Sequence, residues 1–208
     1  MIEPLFFYAK LMKCDKIKDK NIGGIVMTTV YLIRHGTTKS NIDGKFQGTL
    51  DIPLNEQGLL QADYLGERFK DINIDIAYTS PLLRAVQTTD GLCKYKNIEK
   101  VVCENLIELD VGEMAGNTGA ENEAKYPQAM EMMRRTPAKF QAPGGESTLQ
   151  VYHRMKEALK SIVKKNQGKK IAVVSHGFAI QTYIGYAKGI PIYKLERYIV
   201  NNASVSKI

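Results

Sequence analysis

Continuous apolar runs along this chain predict buried strands that alternate with amphipathic helices. Residues 30–33 (VYLI) and 171–174 (IAVV) are short and apolar throughout, which is typical of strands buried on both faces of a parallel sheet. Residues 74–79 and 100–103 predict two more strands. Residues 39–53, rich in Asn, Asp and Gly, are predicted to be a loop, and a loop of this length beside a sheet is usually functional.

Helix start signals lie between the apolar runs. Asn55 has the character of an N-cap for a helix to about residue 69, and Ser80 as N-cap with Pro81 at the first helical position predicts another helix. A helix over residues 179–188 is expected to follow the IAVV strand. The first of these helices is predicted to bury one face, formed by Leu59, Ala62, Leu65, Gly66 and Phe69.

Two further helices are predicted by capping boxes, in which a Ser or Thr and a Glu or Gln three residues later cap each other's backbone. Thr118 with Glu121 opens a helix to about residue 133, and Ser147 with Gln150 opens one to about residue 166. The second helix carries an apolar stripe of Val151, Met155, Ala158, Leu159 and Ile162. Strands that alternate with helices throughout predict an α/β fold with a largely parallel sheet.

The length of 208 residues suits one well-buried domain, which we place at residues 27–208. Residues 1–26 lack a sustained period, contain five lysines and end at a Gly-Gly break, so we expect a non-native or disordered N-terminal extension. The chain stops at Ile208 just after Val205 begins a strand-like segment, which leaves open that the domain is truncated at its C-terminus.

Composition narrows the function classes. The net charge of +7 comes from scattered lysines without aromatic-basic platforms, which argues against nucleic-acid binding and suits a small anionic substrate. No apolar run has the length of a membrane span, and residues 5–9 are too short for a signal-peptide core. Three cysteines without metal-ligand spacing fit a reducing cytoplasm.

The candidate chemistry lies where the two apolar strands end. Residues 30–33 run into Arg34-His35-Gly36, and residues 171–174 run into Ser175-His176-Gly177. Ligands of open α/β sheets bind beyond the carboxyl ends of such strands. If the two strands are neighbours, the imidazoles of His35 and His176 face each other across one pocket. Arg84, in the first turn of a predicted helix, opposes the helix dipole unless an anion lies between them.

These residues resemble the histidine phosphatase superfamily, in its phosphoglycerate mutase-like branch. The resemblance covers roughly residues 28–204, nearly all of the chain. It rests on the order and spacing of Arg34-His35-Gly36, Asn41, Gln47-Gly48, Asp51-x-Pro53-Leu54, Gly58-x-x-Gln61-Ala62, Ser80-Pro81-Leu82-x-Arg84-Ala85-x-Gln87-Thr88, Glu108, Gly144-Gly145-Glu146-Ser147 and Ser175-His176-Gly177.

The resemblance implies a three-layer fold, with helices on both faces of the sheet, and a phosphomonoester hydrolase that needs no metal or other cofactor. His35 would attack phosphorus and become a phosphohistidine, and a neutral imidazole suits this role because its pKa lies near 6.5 and falls beside cations. Arg34 and Arg84 would hold phosphoryl oxygens, while His176, protonated once substrate binds, would add positive charge. Glu108 would be the proton donor.

Further contacts and alternatives complete the prediction. Asn41, Gln47, Gly48 and Gly177 are expected to bind a small phosphorylated metabolite together with the two arginines and His176. Without the family pattern, Asp110 or Glu113 would compete with Glu108. The alternative function is a cofactor-dependent phosphoglycerate mutase, which tends to have an extra insertion after the Glu loop and a C-terminal tail. The identity of the phosphomonoester and a homodimer stay open.

Overall fold

The computed structural model describes residues 27–195 and 200–208, so the predicted N-terminal extension lies outside the described residues. Its five strands form one sheet in the order β3-β2-β4-β1-β5. Neighbours are parallel except β5, which runs antiparallel to β1 at the edge. In chain order they are β1 (Thr29–Arg34), β2 (Ile76–Thr79), β3 (Glu99–Val102), β4 (Lys170–Ser175) and β5 (Val205–Lys207).

Seven α-helices connect and follow these strands in the described part of the chain, together with short 3-10 turns. They are α1 (Lys39–Ile42), α2 (Glu56–Phe69), α3 (Leu83–Leu92), α4 (Gly119–Lys125), α5 (Pro127–Arg135), α6 (Thr148–Lys165) and α7 (Gly177–Ala187). None of the described helices combines the length and apolar character needed to cross a bilayer.

Successive side chains of β1 enter two separate cores, as expected for a strand covered on both faces. Val30 and Leu32 pack with the stripe of α6 and with α7, whereas Tyr31 and Ile33 pack with α2 and α3. All five predicted stripe residues of α6 are buried. The predicted α/β fold, with three layers and a largely parallel sheet, is therefore confirmed.

The local cap signals form as predicted at three helices. Asn55 Oδ1 accepts a hydrogen bond from the Gly58 N–H at 2.8 Å, and both capping boxes, at Thr118 and Ser147, are complete. These caps provide acceptors for backbone N–H groups that have no partner inside the helix. Each cap involves residues within one turn, so a short stretch of sequence is enough to predict it.

Four local predictions were wrong. The helix opened by Thr118 ends at Lys125 and α5 begins at Pro127, because a proline lacks the N–H that would continue α4 and forces Tyr126 out of helical geometry. Residues 39–42 of the predicted loop form a helical turn. Leu59 is exposed. Helix α3 begins at Leu83, and Ser80 is not its cap.

Candidate active site

Strands β1 and β4 are direct neighbours, so their two His-Gly ends lie side by side. Arg34 pairs in register with Ser175, and the His35 N–H donates to the Ser175 carbonyl oxygen at 3.0 Å. The ring centroids of His35 and His176 are 5.1 Å apart. The two strands are therefore neighbours and the two rings lie together, but the imidazoles do not face each other across a pocket, since only His35 lines the cavity described next.

A cavity of about 310 Å³ opens beyond these strand ends. His176 is not among the residues that line it; its ring is fully buried next to that of His35. Residues from six different segments of the chain contribute to its wall. The predicted site residues that line it are Arg34, His35, Asn41, Gln47, Gly48, Arg84, Glu108 and Gly177.

The environment of His35 fixes its tautomer. Its Nδ1 lies 2.7 Å from the Gly36 carbonyl oxygen, and since a carbonyl only accepts, Nδ1 carries the proton. Nε2 is then left with a free lone pair. Burial, followed by the charges of Arg84 and Arg34, lowers the pKa of His35 well below its ordinary value. The ring is thus a neutral imidazole with a nucleophilic Nε2 at physiological pH.

Arg84 is fully buried and is held by the loop that precedes α2. Its Nη1 and Nη2 donate to the carbonyl oxygens of Leu50 and Gly48, each at 2.7 Å. Burial lowers the pKa of Arg84 to about 10, so the guanidinium remains charged near neutral pH. Arg34 donates through Nη1 to the Val200 carbonyl oxygen. Both guanidinium groups keep further N–H donors for a ligand in the cavity.

Three buried side-chain nitrogens have no hydrogen-bond partner, and within the described residues they are the complete set of such atoms. They are Arg34 Nε, Arg84 Nε and His176 Nδ1, which all belong to this one site. A buried donor without a partner costs about 1–3 kcal/mol, so such atoms are rare and call for an explanation. Arg34 and Arg84 line the cavity, where a tetrahedral anion would offer acceptor oxygens to their Nε–H groups, and the ring that carries the third nitrogen lies 5.1 Å from the cavity-lining ring of His35.

Glu108 reaches the same cavity from the loop after β3. Its Oε1 accepts from the N–H groups of Leu109 and Ala179, and its Oε2 accepts from the Phe178 N–H at 3.2 Å. The carboxyl is therefore held against the first turn of α7. Of the two competing acids, Asp110 caps the Gly112 N–H and Glu113 meets the Tyr126 hydroxyl. Neither lines the cavity.

Arg154 on α6 positions the Glu108 loop, and the sequence alone did not single it out. It forms two parallel hydrogen bonds to Glu146, each 2.9 Å, and donates to the carbonyl oxygens of Asn105, Ile107 and Glu108. Burial alone would raise the pKa of Glu146, but hydrogen bonds from Arg154 and from the Asp110 N–H lower it below its ordinary value.

We expect Arg154→Ala to lower the free energy of unfolding by about 2–3 kcal/mol at pH 7. The substitution leaves the half-buried carboxylate of Glu146 and three backbone carbonyl oxygens without their hydrogen-bond donor. Urea denaturation measures this. Because the folded pKa of Glu146 is depressed, its contribution is present above the unfolded pKa and is lost as pH falls through the folded pKa. The difference in free energy of unfolding between Arg154→Ala and the wild type should therefore become smaller as the pH is lowered.

A matched control is Arg135→Ala, which removes an exposed pair with Glu131 at 3.7 Å. Such pairs contribute at most about 0.5 kcal/mol on a helix surface. Equal losses in the two variants would mean that the Arg154 network does not stabilise the fold.

Asn41 and Gln47 are tied into one small network. The Thr38 hydroxyl donates to Gln47 Oε1 at 2.9 Å and the Thr38 N–H donates to Asn41 Oδ1 at 3.1 Å, so one threonine positions both side chains. Asn202, which the sequence analysis missed, donates to Asn41 Oδ1 and to the carbonyl oxygens of His35 and Gly36. It thereby holds the same Gly36 carbonyl that orients the His35 ring.

Gly177 leaves room for a guanidinium. A methyl group at this position would lie 3.3 Å from Arg34 Nε, one of the three unpartnered nitrogens. We expect Gly177→Ala to lower kcat/KM for p-nitrophenyl phosphate about 10-fold or more without a loss of thermal stability. The methyl group would displace the Arg34 guanidinium, and a displacement of less than 1 Å in a ligand-binding group is enough to lower activity. Gly119→Ala is the control, since Gly119 also begins a helix but its methyl group would meet open space. Equal activity of both variants would contradict the prediction.

Two other side chains with potentially reactive groups lie apart from the cavity. His153, the third histidine of the chain, is an exposed residue of α6. Cys93 is buried in the core, and burial raises the pKa of its thiol to about 11, which makes it a poor nucleophile. Within residues 27–195 and 200–208, no group of three or more His, Cys, Asp or Glu side chains is arranged to hold a metal ion.

Comparison with known proteins agrees with this geometry. The family model of the histidine phosphatase superfamily (branch 1) matches residues 30–208. Phosphoserine phosphatase 1 of Hydrogenobacter thermophilus is 32% identical, over 88% of this chain and 86% of that protein. A Proteus mirabilis protein named "Probable phosphoglycerate mutase GpmB" is 31% identical, over 88% and 85%. The solved structure of Bacillus stearothermophilus YhfR is 31% identical, covers 87% of this chain and 90% of its own, and superposes with a TM-score of 0.83.

Proposed function

Because the chain belongs to the histidine phosphatase superfamily, we propose that it hydrolyses phosphomonoesters through a phosphohistidine on His35. The observation that carries this proposal is the set of three unpartnered nitrogens, from Arg34, Arg84 and His176, beside the free Nε2 of His35. A phosphoryl group offers these nitrogens acceptor oxygens, and it offers Nε2 an electrophilic phosphorus.

Binding depends on charge and on planar donors. Arg34 and Arg84 neutralise the phosphoryl oxygens and fix their orientation, which a neutral nucleophile needs in order to approach a dianion. Asn41, Gln47, the backbone at Gly48 and Gly177 complete the wall around the monoester. The two guanidinium groups supply the positive charge that a metal ion supplies in other phosphatases, so the proposed reaction is metal-independent.

In the first step, Nε2 of His35 attacks phosphorus and the bond from phosphorus to the substrate alcohol breaks. The electron pair of that bond goes to the leaving oxygen, which takes the proton of the Glu108 carboxyl. In the second step, water attacks the phosphohistidine and gives a proton to Glu108, while the electron pair of the phosphorus–nitrogen bond returns to Nε2. Inorganic phosphate leaves and both groups are restored.

A phosphoglycerate mutase remains the second candidate, because several curated relatives carry the name "Probable phosphoglycerate mutase GpmB". A mutase must return the phosphoryl group to its substrate before water reaches the phosphohistidine. The cavity here opens to solvent and Lys45 on its wall is exposed, which favours transfer to water. The phosphoserine phosphatase among the relatives supports the same choice.

The proposal is tested by an assay in EDTA that compares hydrolysis of p-nitrophenyl phosphate with interconversion of 2- and 3-phosphoglycerate. We expect hydrolysis that persists in the chelator and no interconversion. Rapid interconversion that depends on a bisphosphate primer would replace the phosphatase with the mutase. Loss of hydrolysis in EDTA that added metal restores would overturn the metal-independent reaction.

The cellular setting is a further part of the proposal. A small phosphorylated metabolite is the proposed partner, and residues 27–208 are proposed to form a single catalytic domain. We place the protein in the cytoplasm, a choice supported by the odd number of cysteines and by the free thiols of Cys93 and Cys103. A homodimer stays a prediction, which the elution volume in gel filtration would test.

A further inference from the structure

Ser80 makes a direct hydrogen bond to His176 in the interior of the protein. Its Oγ lies 2.7 Å from His176 Nε2, and both residues are fully buried. Ser80 directly follows β2, and His176 directly follows β4, the neighbouring strand. The contact therefore joins two strand ends, and the His176 ring lies 5.1 Å from that of His35.

The direction of this hydrogen bond follows from the other partner of the serine. Among the described residues, Ser80 Oγ contacts the Leu82 N–H, which donates to it at 3.4 Å, and His176 Nε2, so the imidazole nitrogen is the acceptor available to the serine proton. If Ser80 donates, His176 Nε2 is the accepting nitrogen. A neutral imidazole has a single N–H, which then lies on Nδ1.

His176 Nδ1 is one of the three unpartnered buried nitrogens, and the other two are Nε–H donors of arginine. Phosphoryl oxygens accept hydrogen bonds and cannot donate them once the ester is ionised. Nδ1 can join the arginines in binding these oxygens only if it carries a proton. The hydrogen bond from Ser80 to Nε2 places the proton where it is needed.

The charges around His176 favour the neutral ring. Burial, then Arg84 of α3, His35 and Arg154, and lastly Arg34, all lower the pKa of His176 well below its ordinary value. The acid that lines the cavity is Glu108, whose oxygens accept from the N–H groups of Leu109, Phe178 and Ala179. An imidazolium here would be a third cation beside two buried guanidinium groups.

We propose that Ser80 is a positioning residue that fixes the Nδ1–H tautomer of His176, so that His176 stabilises the transferred phosphoryl group as a neutral hydrogen-bond donor. This differs from the protonated His176 that the family resemblance led us to expect. It rests on the proposed function for the identity of the ligand, but the tautomer is a property of the protein alone. A neutral donor keeps its strength across the whole range above the pKa of the ring.

The tautomer is tested directly by ¹⁵N NMR of the imidazoles at pH 7.5, with and without inorganic phosphate, using His153→Asn and His35→Ala to assign the signals. We expect His176 to show one protonated nitrogen, Nδ1, in both samples. Two protonated nitrogens when phosphate is bound, or a proton on Nε2, would overturn the proposal. This readout needs no turnover, so it stands even if the enzyme is not a phosphatase.

Kinetics of Ser80→Ala provide the second test, with Ser175→Ala as its control. The Ser175 hydroxyl is equally buried but donates to the Leu106 carbonyl oxygen at 2.7 Å and not to an imidazole. We expect Ser80→Ala to lower kcat about 10- to 100-fold at pH 7.5, short of the roughly 10²- to 10³-fold cost of deleting a preorganised donor outright. Protonating His176 restores an N–H at Nδ1, so the ratio of variant to wild-type kcat should rise as pH falls.

The control separates this role from a general loss of packing. The ratio for Ser175→Ala should not depend on pH, and circular dichroism should show both variants folded. Identical pH profiles of the two ratios would overturn the positioning role of Ser80. If hydrolysis instead survives in His35→Ala, the proposed function fails, and the NMR experiment decides the tautomer by itself.

Discussion

Replacing His35 with alanine should lower phosphomonoester hydrolysis by about 10⁴-fold or more, the loss seen when a covalent nucleophile is removed from an enzyme. The ring is the neutral imidazole whose free Nε2 lies beside the arginine donors. Without it, water must attack a phosphoryl dianion directly, and the arginines alone do not supply a nucleophile. Binding of inorganic phosphate should survive, since Arg34 and Arg84 do not depend on the ring.

The measurement is kcat for p-nitrophenyl phosphate, together with a rapid acid-free quench that traps the phosphoenzyme. We expect an alkali-stable, acid-labile phosphoryl group in the wild type and none in His35→Ala. His153→Ala is the matched control, because it removes an exposed imidazole outside the cavity. Residual activity of a few per cent in His35→Ala would rule out the phosphohistidine mechanism.

The second large effect is expected for Glu108→Gln, which keeps the shape of the side chain but removes its transferable proton. General acid–base catalysis contributes about 10²- to 10⁴-fold, so kcat for an alkyl phosphate should fall by this amount. The amide also replaces one of the oxygens that accept from Phe178 and Ala179. Circular dichroism should accompany the assay, because this contact helps to hold the loop.

The leaving group separates proton transfer from structural damage. p-Nitrophenolate is a weak base that departs without a proton, so phosphorylation of His35 by p-nitrophenyl phosphate should be nearly normal in Glu108→Gln. Water attack still lacks its base, and the phosphohistidine should therefore accumulate. Glu113→Gln is the control, since its carboxyl meets Tyr126 away from the cavity. Equal loss for both leaving groups, without accumulation, would assign Glu108 a structural role.

The parts of the fold that were predicted correctly depend on short stretches of sequence. The buried strand at residues 30–33 and the stripe of α6 are periodic patterns, and the caps at Asn55 and Ser147 are contacts within one turn of helix. The break at Pro127 was visible in the sequence as well, but a capping box predicts where a helix begins and not where it ends.

The functions of Ser80, Arg154 and Asn202 could not be predicted in the same way. Ser80 followed by Pro81 has the local sequence pattern of a helix cap, yet its hydroxyl makes a hydrogen bond to the imidazole of His176, which is 96 positions later in the chain. Asn202 meets the nucleophile loop across 166 or more positions. Nothing within a few residues of these side chains identifies their partners, because the partners are brought together only by the sheet.

The sequence by itself determined the α/β class, the two strands that end in His-Gly, and the residue types able to hold and attack a phosphoryl group. These follow from hydrophobic period and from side-chain chemistry, which act over one strand or one turn. Only the tertiary structure decided which charges lie together, how deeply His35 and His176 are buried, and which nitrogen of the His35 ring carries the proton. Strand order sets these properties, since burial and hydrogen bonding at the sheet edge depend on neighbours far away in the chain.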